Sequence, residues 1–220
     1  MNKKYKAVIF DLDGTLFDTS EGIFYSLDLT VDKMGLKKLD KEVKNKFIGP
    51  SLSDAFKDLF GMTPKEADET ILVYRNIYKE EGALKNRIFD GIEDLLKMLS
   101  DVEIKIGIAT NKREDFAVSI VENAKISNYF TAVCGADFHG QLSKRQIVKM
   151  CAEKLNEKPS NSLLVGDSEF DGLSAYENGI DFIGVTYGFG FKSRGDVNQY
   201  KNKASADSVK ELFEIMKNII

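Results

Sequence analysis

Residues 7–19 read Ala7-Val-Ile-Phe10-Asp11-Leu-Asp13-Gly14-Thr15-Leu-Phe-Asp-Thr19. The apolar run Ala7–Phe10 has the length and composition of a strand buried on both faces. It ends in two carboxylates one residue apart, Asp11 and Asp13, with Gly14 directly behind them. Two acids crowded at a rigid strand tip repel each other unless a cation sits between them. A carboxylate beside a divalent ion has the chemistry of a nucleophile, and a second carboxyl close by gives and takes a proton. Gly14 lets the backbone approach an anion. The plain alternative is a strand-exit turn, which Asp and Gly also favour, so the rest of the chain decides.

That rest alternates. Ile104–Ala109, Thr131–Val133, Ser162–Val165 and Phe182–Val185 are further strand-like runs. Amphipathic helical stretches cover Gly91–Leu99, Glu114–Ala124, Lys144–Leu155 and Phe170–Asn178, with a closing helix in Asp207–Ile220. Strand and helix in alternation predict an α/β fold with a doubly wound parallel sheet. The interval from Glu21 to Asn86 breaks the rhythm. It has no strand, only helical segments at Ile23–Met34, Asp40–Phe47, Ser51–Phe60 and Lys65–Glu81, with Thr63-Pro64 as a capped start. The expected organisation is a core of residues 1–18 and 87–220 with a small helical cap, residues 19–86, inserted after the first strand.

Composition narrows the function. The 220 residues are 43% hydrophobic and 30% charged, with a net charge of -4. No broad basic field exists to draw nucleic acid or an anionic membrane, and no apolar run is long enough for a membrane span or signal peptide. Cys134 and Cys151 fit neither a disulfide framework nor a zinc site, which points to a reducing, cytoplasmic setting. His139, the single histidine, has no nucleophile paired with it and reads as a surface residue.

Ligands in open α/β sheets bind beyond the carboxyl ends of the strands. Thr110 and Asn111 follow the second predicted strand, Lys144 opens the helix after the third, and Gly166-Asp167 with Asp171 follows the fourth. Thr110 alone is compatible with a helix N-cap, Lys144 with a solvated charge and Asp167 with a turn. Together they assemble acids, a hydroxyl and a lysine around one space. Asp167 and Asp171, four apart at a helix start, are expected on one face. Such an acid cluster repels a phosphate dianion unless a cation intervenes. Mg²⁺ suits oxygen ligands and keeps waters that a phosphate oxygen replaces, while Lys144 supplies a compact positive charge for the phosphate and Asp11.

These residues resemble the four motifs of the haloacid dehalogenase-like phosphatase superfamily: Asp11-Leu-Asp-Gly-Thr, Thr110-Asn111, Lys144, and Gly166-Asp167 with Asp171. The likeness covers essentially the whole chain. Phe47-Ile-Gly-Pro-Ser-Leu and Gly184-Val-Thr-Tyr-Gly-Phe-Gly resemble its phosphoglycolate phosphatase-like branch. The resemblance implies a Mg²⁺-dependent phosphomonoester hydrolase of a small metabolite, working as monomer or homodimer. It implies Asp11 as a nucleophile that forms an aspartyl-phosphate, with Asp13 as acid and base. Asp11, the Asp13 carbonyl and Asp167 would hold the metal, with Asp171 supporting its waters. Gly14, Thr110, Asn111 and Lys144 would bind the phosphoryl oxygens. Ser168-Glu169-Phe170 depart from a frequent cationic residue after Gly-Asp and add negative charge near the site. Asp13 argues against dehalogenation.

Competing readings are a 5'-nucleotidase, a pyrophosphatase, a β-phosphoglucomutase-like phosphomutase, a receiver-like phosphoacceptor or an inactive binding module. The filled motifs speak against the last. The insert following the first strand speaks against the receiver. In the predicted cap, Lys46, Lys57 and Arg75 would suit a carboxylated leaving group, and the Gly49-Pro50-Ser51 turn offers a helix start for an anion. Phe24, Tyr25, Phe56, Phe60, Tyr74 and Tyr78 recur at helical spacing and read first as cap core.

Overall fold

The opening strand carries the architecture. In the computed structural model, which describes residues 4–138 and 140–220, Ala7–Phe10 forms β1 with every residue buried. His139 lies outside the described residues. β2 (Phe17–Asp18) follows, then four helices: α1 (Ser20–Lys33), α2 (Lys41–Asn45), α3 (Leu52–Phe60) and α4 (Pro64–Glu80). β3 (Arg87–Ile88) pairs with β2 in a separate two-stranded sheet. Then come α5 (Ile92–Asp101), β4 (Lys105–Arg113), α6 (Glu114–Asn123), β5 (Ala132–Ala136), α7 (Lys144–Leu155), β6 (Ser162–Gly166), α8 (Glu169–Asn178), β7 (Asp181–Val185), α9 (Arg194–Val197), β8 (Ala204–Ala206) and α10 (Val209–Ile219).

The main sheet is parallel, in the order β5-β4-β1-β6-β7-β8. Its strands alternate their side chains between two apolar layers. Val8 and Phe10 join Ile106, Ile108, Leu163 and Val165 against Leu95 and Leu99 of α5, Ile120 of α6 and Leu212 of α10. Ala7 and Ile9 join Leu164 and Phe182 against Ile147, Val148 and Cys151 of α7 and Ala175 of α8. Each fully buried aliphatic side chain contributes about 1.5–3 kcal/mol, so β1, at the centre, is the least negotiable strand. Its register sets Phe10 beside Ile108 of β4 and Val165 of β6. Residues following those three positions therefore share one rim.

The chain divides into two compact units, Met1–Asp18 with Ile88–Ile220, and Thr19–Arg87. Within the second, Thr63 and Glu66 form a capping box at α4. Phe47, Phe56 and Phe60 pack ring against ring, as do Tyr74 and Tyr78. Phe56, Tyr74 and Tyr78 are buried, so these aromatics form the unit's interior. Ser51 caps α3, and the Asp54 carboxylate accepts its hydroxyl and pairs with Lys57 at 2.9 Å. That helix start is thus already supplied with its own anion.

Two local readings need correction. β4 does not stop at Ala109 but runs on to Arg113 through a register shift against β5, so Thr110 and Asn111 lie within the strand. Thr110 is no helix cap, since the N-cap position of α6 is Arg113. Asp167 and Asp171 do not share a helical face. α8 begins only at Glu169, Ser168 is its N-cap, and Asp171 is the third residue of its capping box. β8 and α9 carry no long apolar run and escape the periodicity. No helix among the described residues is long and apolar enough to cross a membrane.

Candidate active site

The loop after β1 is tied down before it offers any chemistry. Asp11 N donates to Val165 O at 2.9 Å, and the Leu12 carbonyl accepts from Leu16 and Phe17 N, each at 3.0 Å. Leu12 and Leu16 are buried, so the loop that carries Asp11 and Asp13 is anchored in the core. Gly14 turns at φ +79°, a conformation that side chains disfavour. A Cβ there would also collide with the Asp167 carboxylate, as would one on Gly188.

Around this loop the rim is acidic and buried. Asp11, Asp167 and Asp171 are buried, and each offers a carboxylate oxygen within 4.8 Å of the others. Lys144, at the start of α7, pairs with Asp11 Oδ1 and, at 2.9 Å, with Asp171 Oδ1. Asp171 Oδ2 accepts from Ser168 N and Oγ. Asp167 Oδ2 accepts from Phe189 N at 2.6 Å and Gly190 N at 3.0 Å. The Asp13 side chain lies outside that acid trio and meets Lys112 Nζ at 3.0 Å. Thr110 Oγ1 accepts from Lys112 N at 3.1 Å, and Asn111 stands beside it on β4. Glu169 is exposed and accepts from Tyr200 OH.

The charges do not cancel. With all four acids ionised, Asp11, Asp13, Asp167 and Asp171 against Lys112 and Lys144 put an excess of two negative charges in a buried space. Burial, aided by the neighbouring acids, pushes Asp11 well above the ordinary carboxylate range although Lys144 opposes it. Burial and then Asp171 push Asp167 up to about 7. Burial pulls Lys144 down, but Asp11 and Asp171 outweigh it and hold its ammonium above the usual lysine value. A dication among these oxygens would reverse the upward push on both acids. The all-oxygen donor set and the unbalanced charge both fit Mg²⁺.

Sequence reasoning missed two parts of this rim. Lys112 was visible only as the residue after Asn111, and its partner lies far away in the chain. The Gly188-Phe189-Gly190 segment was legible as a glycine-rich stretch after β7, but nothing in it announced that its N–H groups would grip Asp167.

A doubly wound sheet with its polar residues at the carboxyl ends of the strands, centred on a buried Asp-Lys pair, is the layout of an α/β protein that binds its ligand beyond those strand ends. Residues 8–185 match the family model of the haloacid dehalogenase-like hydrolases. The chain is 33% identical over 188 residues to a 5'-nucleotidase of Pseudomonas aeruginosa, covering 85% of each. It is 33% identical over 187 residues to a phosphoglycolate phosphatase of Agrobacterium fabrum, covering 82% of this chain and 80% of that one. A predicted phosphatase from Clostridium acetobutylicum superposes with a TM-score of 0.91 at 34% identity, over 97% of this chain and 99% of that one. The chain belongs to the haloacid dehalogenase-like hydrolase family, and it is a phosphatase.

Proposed function

We propose that this phosphatase is a Mg²⁺-dependent hydrolase of small phosphomonoesters, close in kind to the phosphoglycolate phosphatases, that works through a phosphoryl group carried on Asp11. One observation carries the reading: Asp11 is buried, engaged by Lys144, and shares a 4.8 Å cluster with Asp167 and Asp171. Asp11, Asp167 and the Asp13 backbone carbonyl would hold Mg²⁺, with Asp171 supporting its waters through the second layer. When bound, the ion neutralises the surplus negative charge and polarises a phosphoryl oxygen.

The chain's own groups divide the work. Asp11 attacks phosphorus as the bond to the leaving oxygen breaks, and Asp13 gives that oxygen its proton. Water then attacks the phosphoryl group, its proton passes to Asp13, and the Asp11 carboxylate is restored. The sum is ester plus water giving alcohol plus phosphate. Lys144, the Thr110 hydroxyl, Asn111 and the backbone at Gly14 bind the phosphoryl oxygens. To the helical unit, Thr19–Arg87, we assign the choice of substrate expected of an inserted cap. The two free, buried thiols suit a reducing cytoplasm.

The names of the relatives differ in substrate, so a panel must choose. Phosphate release is measured over phosphoglycolate, nucleoside monophosphates, pyrophosphate and sugar phosphates with Mg²⁺, then with excess EDTA. The expected result is release from at least one ester, abolished by EDTA. Full activity in EDTA contradicts the metal role. Isomerised sugar phosphate without free phosphate would make the chain a mutase.

A further inference from the structure

Each acid of the Asp11-x-Asp13 pair has its own lysine, and only one of these lysines belongs to the motifs read from the sequence. Lys144 engages Asp11 and Asp171. Lys112 Nζ lies 3.0 Å from Asp13 Oδ1, and the two side chains are only 8% and 9% exposed. A lysine that shut away from water loses its hydration, which only a firm partner offsets. The strand explains how Lys112 gets there. An undisturbed β4 would send Asn111 and Lys112 to opposite faces. The register shift between Ala109 and Arg113 re-aims this segment, and the Lys112 N–H bond to Thr110 Oγ1 fixes it. On the other side, Asp13 bridges to Phe17, and Gly14 N donates to Phe17 O at 2.8 Å. The backbone under Asp13 is therefore set by its own loop, while its carboxylate is engaged by Lys112.

We infer that Lys112 is the positioning residue for Asp13, aiming its carboxyl group at the leaving oxygen of the ester. The inference rests on the phosphatase mechanism proposed above. It separates Lys112 from the phosphate-binding lysine, Lys144. The phosphoryl group meets Lys144, whereas Lys112 acts one step away, through Asp13, on the alcohol side of the bond that breaks.

An aimed acid matters only where the leaving oxygen needs a proton. A simple alkyl phosphate needs it, and p-nitrophenyl phosphate, with its stable phenolate, hardly does. The experiment measures release of the leaving group in the first turnover, with Mg²⁺, for wild type, Lys112→Gln and Lys112→Arg on both esters. Melting temperatures are recorded alongside. In Lys112→Gln, the alkyl ester should slow by about 10–100-fold, in the range of lost acid catalysis. The nitrophenyl ester should slow less than about threefold, KM should barely move, and Lys112→Arg should recover part of the alkyl rate. Equal losses on both esters, or a change confined to KM, would make Lys112 a structural or phosphate-binding residue and overturn the inference. If Lys112→Gln does not fold, the comparison of the two esters in Lys112→Arg decides by the same criterion. The alkyl ester is one that the panel above shows to be cleaved, and a wild type that releases phosphate from no ester of that panel defeats the phosphatase mechanism itself, a result distinct from equal losses in the variants.

Discussion

The two rims of the main sheet carry similar residues and opposite physics. At the amino ends of the strands, Asp181 meets Lys4 at 3.0 Å and Lys203 at 3.3 Å, and Glu157 meets Lys105 at 2.9 Å. The lysines there are 40–55% exposed, and three ammoniums serve two carboxylates. Burial is the largest single influence on the Asp181 carboxyl and pushes it up, but the hydrogen bonds from Tyr5, Lys4 and Lys203 together outweigh it and hold it below the ordinary range. At the carboxyl ends, the acids outnumber their lysines, all are buried, and Asp11 and Asp167 are pushed up instead. The first rim is charge placed to be comfortable. The second is charge placed at a cost to the stability of the fold, which is the usual mark of a site shaped for a ligand.

The contrast breaks most visibly at Asp11. Asp11→Asn keeps the side-chain size and removes the nucleophile. Turnover should fall by more than about a thousandfold, on the order of 4 kcal/mol of barrier, with the melting transition still cooperative. Residual turnover within about tenfold of wild type contradicts the nucleophile assignment. On the comfortable rim the same kind of change should do little. Asp181→Asn should leave kcat and KM unchanged and lower stability by no more than about 1 kcal/mol at neutral pH, as partly exposed pairs do. The sign follows from its lowered carboxyl value. Its contribution is complete above the unfolded value near 3.9 and is lost as pH falls through the lower folded value, so the variant should converge on wild type in strong acid. Thermal melting at pH 7 and pH 2.5 checks this. A loss of activity in Asp181→Asn would mean that the two rims are not separate.

Much of this was legible. β1 is read at its true ends because a continuous apolar run bounded by Lys6 and Asp11 admits little else. Lys144 opens α7 as the pattern requires, and Gly179 ends α8 in the left-handed conformation. The misses have a common cause. The end of β4 depends on the register shift against β5, and the face expected to be shared by Asp167 and Asp171 is lost because the Ser168–Asp171 capping box leaves Asp167 outside α8. β8 is Ala-Ser-Ala, a strand made by its neighbour β7 rather than by its own residues. At the site, single tips were readable while the partners brought in by tertiary packing, Lys112 and the Phe189 and Gly190 amides, were not.

On the proposed function, the carboxyl-end rim stores unfavourable charge that a bound dication would relieve. An acid raised to about 7 binds protons in the folded state that the unfolded chain has already released, so stability falls as pH rises from about 4 to about 7. Asp167→Asn removes that penalty and keeps an oxygen for the Phe189 and Gly190 amides. The decisive measurement is the melting temperature of wild type and Asp167→Asn, metal-free, across that window, and again with Mg²⁺ at pH 7.5. The account predicts that metal-free Asp167→Asn melts several degrees higher than wild type by pH 7, on the order of a few kcal/mol. It predicts that the gap closes toward pH 4, and that Mg²⁺ raises wild type but not the variant. A variant less stable than wild type without metal at pH 7, or one that gains as much from Mg²⁺, would contradict it.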